Sequence, residues 1–139
     1  MMPYSTSGIR MSAPNPTEGE LAILRVLWSR SGPTTVREVH EALSRSKDTA
    51  YTTVLKMLTI MTEKGLVRRD DSERTHTYVA VHGEPVVQSS LLKDLIRRAF
   101  SGSALKLVQR ALDDGSASPE ELDEISRLIA QAKAKRKQR

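Results

Sequence analysis

Between Thr49 and Gly65 the sequence TAYTTVLKMLTIMTEKG sets short hydroxyls and one cation against an apolar stripe. At 3.6 residues per turn, Tyr51, Val54, Leu55, Leu58 and Met61 share one side, and Thr52, Thr53, Lys56, Thr59 and Glu63 fall on or near the other. A face that meets only water is normally richer in Glu and Lys, whereas short hydroxyls let a helix approach another polar surface closely. Threonine suits base edges, through its hydroxyl and through contact of its methyl with thymine. The expected chemistry is therefore groove contact with DNA by Thr52, Thr53 and Lys56. Thr49 and Tyr51, at the amino-terminal turn, would reach phosphate beside the helix amides. Tyr51 keeps two readings, a ring in the core with only its hydroxyl outside, or a surface group.

Such a helix needs elements to position it. Thr17-Glu18-Gly19-Glu20 fits a capping box, and a first helix follows with Leu21, Leu24, Leu27 and Trp28 as its stripe, ending at Ser31-Gly32-Pro33. Trp28, the single Trp, reads as a core anchor. A short extended piece, 33–35, leads to a second capping box, Thr35 to Glu38, and a helix with Val36, Val39, His40 and Leu43 inward. His40 at the edge of that stripe reads as structural, since no second ligand lies four residues on. Asp48 or Thr49 would cap the third helix, and Gly65 suits the left-handed position that stops it, with Leu66 packing back. Leu66 to Arg69, a polar turn over 70–73, and Arg74 to Val81 then read as a β-hairpin. Three helices and a hairpin describe a winged helix-turn-helix, with Arg68, Arg69, Arg74 and His76 of the wing beside the phosphates, or else in a plain solvated hairpin diluted by Asp70, Asp71 and Glu73.

After residue 82 the pattern changes. A fourth helix from Glu84-Pro85 carries Leu91 and Leu95, a fifth carries Leu105 and Val108, and Ser118-Pro119-Glu120-Glu121 opens a sixth with Leu122, Ile125 and Ile129. So much apolar face on short helices calls for a partner, most simply a second copy about a two-fold axis; the other reading folds them back on the wing domain. The fold class expected is mainly α with a small β-hairpin, a winged helix-turn-helix followed by a C-terminal helical dimerisation region. The divisions are a disordered arm over 1–15, a DNA-binding domain over 16–82, the dimerisation region over 83–132 and a basic tail over 133–139.

Charge placement limits what the pI of about 9.7 implies. Lys133, Lys135, Arg136, Lys137 and Arg139 put five cations in the last seven residues, leaving 17 Lys+Arg against 17 Asp+Glu elsewhere. The tail would add salt-sensitive phosphate attraction or simply be a solvated terminus. There is no Cys, which excludes disulfides, thiolate metal sites and Cys nucleophiles. No apolar leader or run of 18 apolar residues occurs, so a soluble cytoplasmic protein is expected. Without HExxH, P-loop or GxSxG motifs, and with scattered His40, His76 and His82, no enzyme, metal or cofactor is expected.

The blocks TEGELAILRVLW, TTVREVHEAL and AYTTVLKMLTIMTEKGLVRR, with a Tyr-bearing second wing strand, resemble the penicillinase-repressor family (BlaI/MecI/CopY type) over about residues 17–129. The resemblance implies a dimeric repressor that binds palindromic double-stranded DNA operators through its winged helix. It also implies induction by proteolysis, with a membrane sensor metalloprotease as partner and a cut matching Gln109-Arg110-Ala111, although the Asn-Phe-like site of the beta-lactam branch is absent. The copper-sensing branch carries C-terminal cysteines, which this chain lacks. Two other readings stay open, a regulator answering a small-molecule effector and a winged-helix protein-interaction module.

Overall fold

Helix starts follow local chemistry. In the computed structural model, which describes residues 15–138, Thr17 Oγ1 accepts the Glu20 N–H at 3.2 Å while Glu20 Oε1 accepts the Thr17 N–H at 2.9 Å, opening α1 (Glu18–Ser29). Thr35 and Glu38 form the same reciprocal pair at the start of α2 (Val36–Ser44). The arm expected over 1–15 lies outside the described residues apart from Asn15.

The third helix, α3 (Tyr51–Lys64), departs from expectation at its start. Its N-cap is Ala50, with no side-chain cap bond, and neither Asp48 nor Thr49 plays that part. Thr49 is engaged elsewhere: its hydroxyl donates to the Lys47 carbonyl at 3.2 Å and its own carbonyl lies 2.7 Å from His40 Nε2. A carbonyl only accepts, so Nε2 carries the proton and His40 clasps the turn between α2 and α3. At the other end Gly65 adopts φ +82°, and the Leu66 N–H donates to the Met61 carbonyl at 2.9 Å. A Cβ at Gly65 would meet open space, so the backbone conformation alone penalises a side chain there. Gly65→Ala is expected to lower unfolding free energy by about 1 kcal/mol, read from urea denaturation.

A three-stranded antiparallel sheet forms from β1 (Thr34–Thr35), β2 (Val67–Asp70) and β3 (Thr77–Ala80), in the order β1-β3-β2. The hairpin expectation captured β2 and β3, but with a longer connection than residues 70–73: Arg74 and His76 lie in the loop, not in a strand. The extended piece before α2 became a strand because Thr34 and Thr35 pair with Tyr78 and Thr77. Tyr78 also faces Arg69 across the wing, and its ring is buried.

The core gathers Ile23, Leu24 and Leu27 of α1, Val39 of α2, Val54, Leu58 and Met61 of α3, and Leu66, Val67 and Tyr78. Two inward assignments shift. Ile23 is fully buried where Leu21 was expected to lead the α1 stripe, and Leu55 is 42% exposed rather than inward. Gly19 of α1 lies against Met57 of α3, where a Cβ would sit 2.8 Å from the movable Met57 Cε. Trp28 packs against the core, partly buried, and its Nε1–H donates to the His82 carbonyl at 3.0 Å.

Helices α4 (Glu84–Ala99), α5 (Ala104–Asp113) and α6 (Pro119–Lys137) complete the chain. It divides into two compact units, one ending at Lys93 and the other beginning at Asp94, later than the expected break at 82/83. In the first unit Val87 of α4 is 1% exposed, which places the start of that helix with the wing domain's unit. In the second, Ser118 and Glu121 cap α6 reciprocally, and α6 runs on to Lys137. The segment expected to be a basic tail from 133 is thus helical as far as Lys137, its cations set at the end where the helix dipole favours them.

Candidate nucleic-acid interface

Burial of Val54, Leu58 and Met61 fixes which side of α3 faces outward. Thr52, Thr53 and Lys56 are exposed, and their side chains have no hydrogen-bond partner among the described residues. Thr59 is exposed too, but its hydroxyl donates back to the Leu55 carbonyl at 2.9 Å. Tyr51, 46% exposed, meets the His40 ring edge-on, with centroids 5.7 Å apart and planes at 71°. Of the two readings of Tyr51, the surface group is the one found. Thr49 is half-buried and serves the turn described above.

A cleft of about 520 Å³ opens where the start of α2, the first turns of α3 and the wing loop meet. Arg37, Arg74 and His76 line it together with Tyr51 and Leu55, and Thr35 and Tyr78 form part of its walls. It therefore joins three of the expected contact residues to two that were not expected, Arg37 and Leu55. Arg37 had a legible signal, since it lies two residues past the Thr35 cap and so at the exposed start of a helix.

The wing arginines differ in freedom. Arg69 Nε lies 2.7 Å from Asp71 Oδ1, and the hydrogen bond and charge of that carboxylate hold the guanidinium above its ordinary pKa. His76 Nδ1 is 3.7 Å from the same oxygen, so protonated His76 would compete for it. The Asp70 carboxylate accepts the Ser72 N–H at 2.9 Å, which lowers its pKa and stiffens the wing turn. Arg68 and Arg74 are exposed and have no ion-pair partner among the described residues. They are the wing's uncommitted cations, while Arg69 is already paired with Asp71 of its own chain.

The residues expected to mediate self-association are largely outward. Leu95, Leu105, Val108, Leu122 and Ile129 are exposed, Leu105 to 75%, while Leu91 and Ile125 are half-buried. Neither α5 nor α6 contains a buried residue. Gln109, Arg110 and Ala111 are exposed and lie within the last turns of α5.

A family model described as penicillinase repressor matches residues 16–131. Over 116 residues the chain is 38% identical to a transcriptional regulator BlaI of Mycobacterium tuberculosis, a match that covers 83% of each chain. It is 23% identical over 125 residues to a penicillinase repressor of Bacillus licheniformis, covering 90% of this chain and 97% of that one. A solution structure of the Bacillus licheniformis BlaI monomer in complex with the blaP half-operator overlays with a TM-score of 0.46 at 25% identity, covering 52% of this chain and 88% of that chain.

Proposed function

This chain belongs to the penicillinase repressor family of transcriptional regulators, and on that premise we propose that it is a DNA-binding repressor that grips a palindromic operator as a two-fold dimer. The observation that carries this reading is the outward face of α3, where unpaired Thr52, Thr53 and Lys56 stand over the sealed positions Val54, Leu58 and Met61. In this reading those side chains enter the major groove, where hydroxyl and ammonium donors meet base edges. Tyr51, Arg68, Arg74 and His76 lie to the side, where phosphate contacts set register, and Arg69 contributes less because Asp71 already holds it. Thr49 acts through its clasp with His40, positioning α3 rather than touching DNA.

Dimerisation is what makes such a modest contact set sufficient. A nearly neutral lone module binds non-specifically at about 10⁻⁴ to 10⁻⁶ M, whereas specific operators typically need about 10⁻⁸ M or tighter. Two linked modules close that gap, because the second half-site is met at high effective concentration. The exposed Leu, Val and Ile of α5 and α6 supply the surface for a second copy. Proteolysis near Gln109-Arg110-Ala111, initiated by a membrane sensor metalloprotease, would induce by severing α5 from α6. Since those residues are helical, cleavage requires local unfolding of the end of α5. Among the described residues no helix is long and apolar enough to cross a membrane, and we place the repressor in the cytoplasm with its DNA.

The test is selection of a palindromic duplex from randomised DNA by the full-length protein, followed by fluorescence anisotropy. Lys56→Ala is expected to weaken binding to the selected duplex roughly tenfold and to flatten the salt dependence by about one unit of slope for each Lys56 removed. Unchanged affinity would take Lys56 out of the interface, and no enriched duplex at all would remove the DNA-binding reading.

A further inference from the structure

We propose that Leu55 is a specificity residue that packs on the C5-methyl groups of thymine, so that the operator is read by apolar contact as well as by hydrogen bonds. The inference rests on the DNA-binding reading and goes beyond it by giving one side chain a base preference.

Position comes first. Leu55 lies three residues after Thr52, one before Lys56 and four before Thr59, so it flanks the outward rank of α3. Its neighbours Val54 and Leu58 are fully buried, yet Leu55 is 42% exposed, and its aliphatic group is not needed to close the core. Surroundings come second. Leu55 lines the cleft whose other walls carry Arg37 and Arg74, cations suited to phosphates on either side of a groove edge. The lining also holds Val36 and Tyr51, but Leu55 keeps 42% of its surface exposed, and that part gains from burial only against an apolar partner. In the major groove the one apolar group that a base pair offers is the thymine methyl, so the occupant follows from the chemistry of the groove.

The thymine methyl can be deleted from the DNA without touching the protein. With the selected duplex and the full-length protein, each symmetry-related pair of thymines is replaced in turn by deoxyuridine. One pair is expected to weaken wild-type binding roughly fifteenfold, from about fourfold per methyl removed at each of the two half-sites. Leu55→Ala should bind the thymine and uracil forms of that duplex equally, whereas Leu55→Met, which keeps an apolar group, should retain most of the difference. Circular dichroism of the variants checks that the helices are intact, and if Leu55→Ala unfolds, Leu55→Gln, which keeps the size but not the apolar group, takes its place and should likewise bind the two forms equally.

A flat uracil scan with the wild-type protein overturns the proposal while leaving the enriched duplex, and so the DNA-binding reading, standing. Uniform weakening by Leu55→Ala with the thymine-to-uracil ratio unchanged also overturns it and makes Leu55 a prop for the wing. Failure to enrich any duplex removes the DNA-binding reading and this inference together.

Discussion

Ile129→Asp is expected to sediment as a monomer at micromolar concentration and to lose at least about a hundredfold in affinity for a palindromic operator, while keeping its helical circular dichroism. The expected loss is the interval between a lone module's non-specific binding, about 10⁻⁴ to 10⁻⁶ M, and specific operator binding at about 10⁻⁸ M. Ile129 is 49% exposed, so a carboxylate there remains hydrated in the single chain and becomes costly only when a second copy covers it. Ile125, one turn earlier on the same seam, is half-buried in its own chain, so Ile125→Asp combines an internal penalty with the loss of association. The pair of variants therefore separates folding from assembly. A sedimentation profile showing an intact dimer for Ile129→Asp would eliminate the α6 seam as the interface, and tight operator binding by a monomer would eliminate the avidity account altogether.

What was legible in the sequence follows the range of the forces involved. The capping boxes at Thr17, Thr35 and Ser118 span four residues each and formed as their spacing dictates. The αL stop at Gly65 is equally local. Features decided by distant partners were harder to read. β1 is only two residues long and exists because Thr34 and Thr35 find Tyr78 and Thr77 some forty residues later. Ala50 caps α3 without a side-chain bond because Thr49, the better local cap, has its carbonyl held by His40 from the preceding helix. Leu55 was assigned inward because a wide apolar stripe has an ambiguous edge, and only packing of Val54, Leu58 and Met61 against α1 and the sheet settles which edge residue is left outside. The basic segment after 132 shows a different limit: its cations dominate the composition, but QAKAKRK sets four of them among Ala and Gln, all good helix formers, so its helical state is legible from propensity rather than from charge.

Glu20→Ala is expected to lower unfolding free energy by about 2 kcal/mol and Tm by roughly 10 °C, and to weaken the pH dependence of stability on the acid side. Glu20 is only 5% exposed and serves two partners. Its Oε1 accepts the Thr17 N–H at the start of α1, and both carboxylate oxygens accept from Lys64 Nζ, at 2.7 and 3.0 Å, at the end of α3. Removing the carboxylate costs about 1 kcal/mol for the cap. The bond to Lys64 adds a comparable amount, discounted because the ammonium side chain is 36% exposed and water replaces part of what is lost. Burial by itself would raise the Glu20 pKa, but the hydrogen bond and charge of Lys64 and the bonds from Thr17 together outweigh it and hold the group below its ordinary 4.5. A carboxyl with a depressed folded pKa contributes stability that is complete above the unfolded value and is lost as pH falls through the folded one. The wild-type protein should accordingly lose this contribution below about pH 4.5, and Glu20→Ala should lack that part of the loss. Glu20→Gln sharpens the assignment, because it keeps an oxygen for the Thr17 N–H and gives up the charge and one of the two acceptor oxygens facing Lys64. It should retain about half the stability difference and still lack the titration. If Glu20→Gln denatures with the wild-type pH profile, the titrating group lies elsewhere and the α1–α3 pairing contributes packing alone.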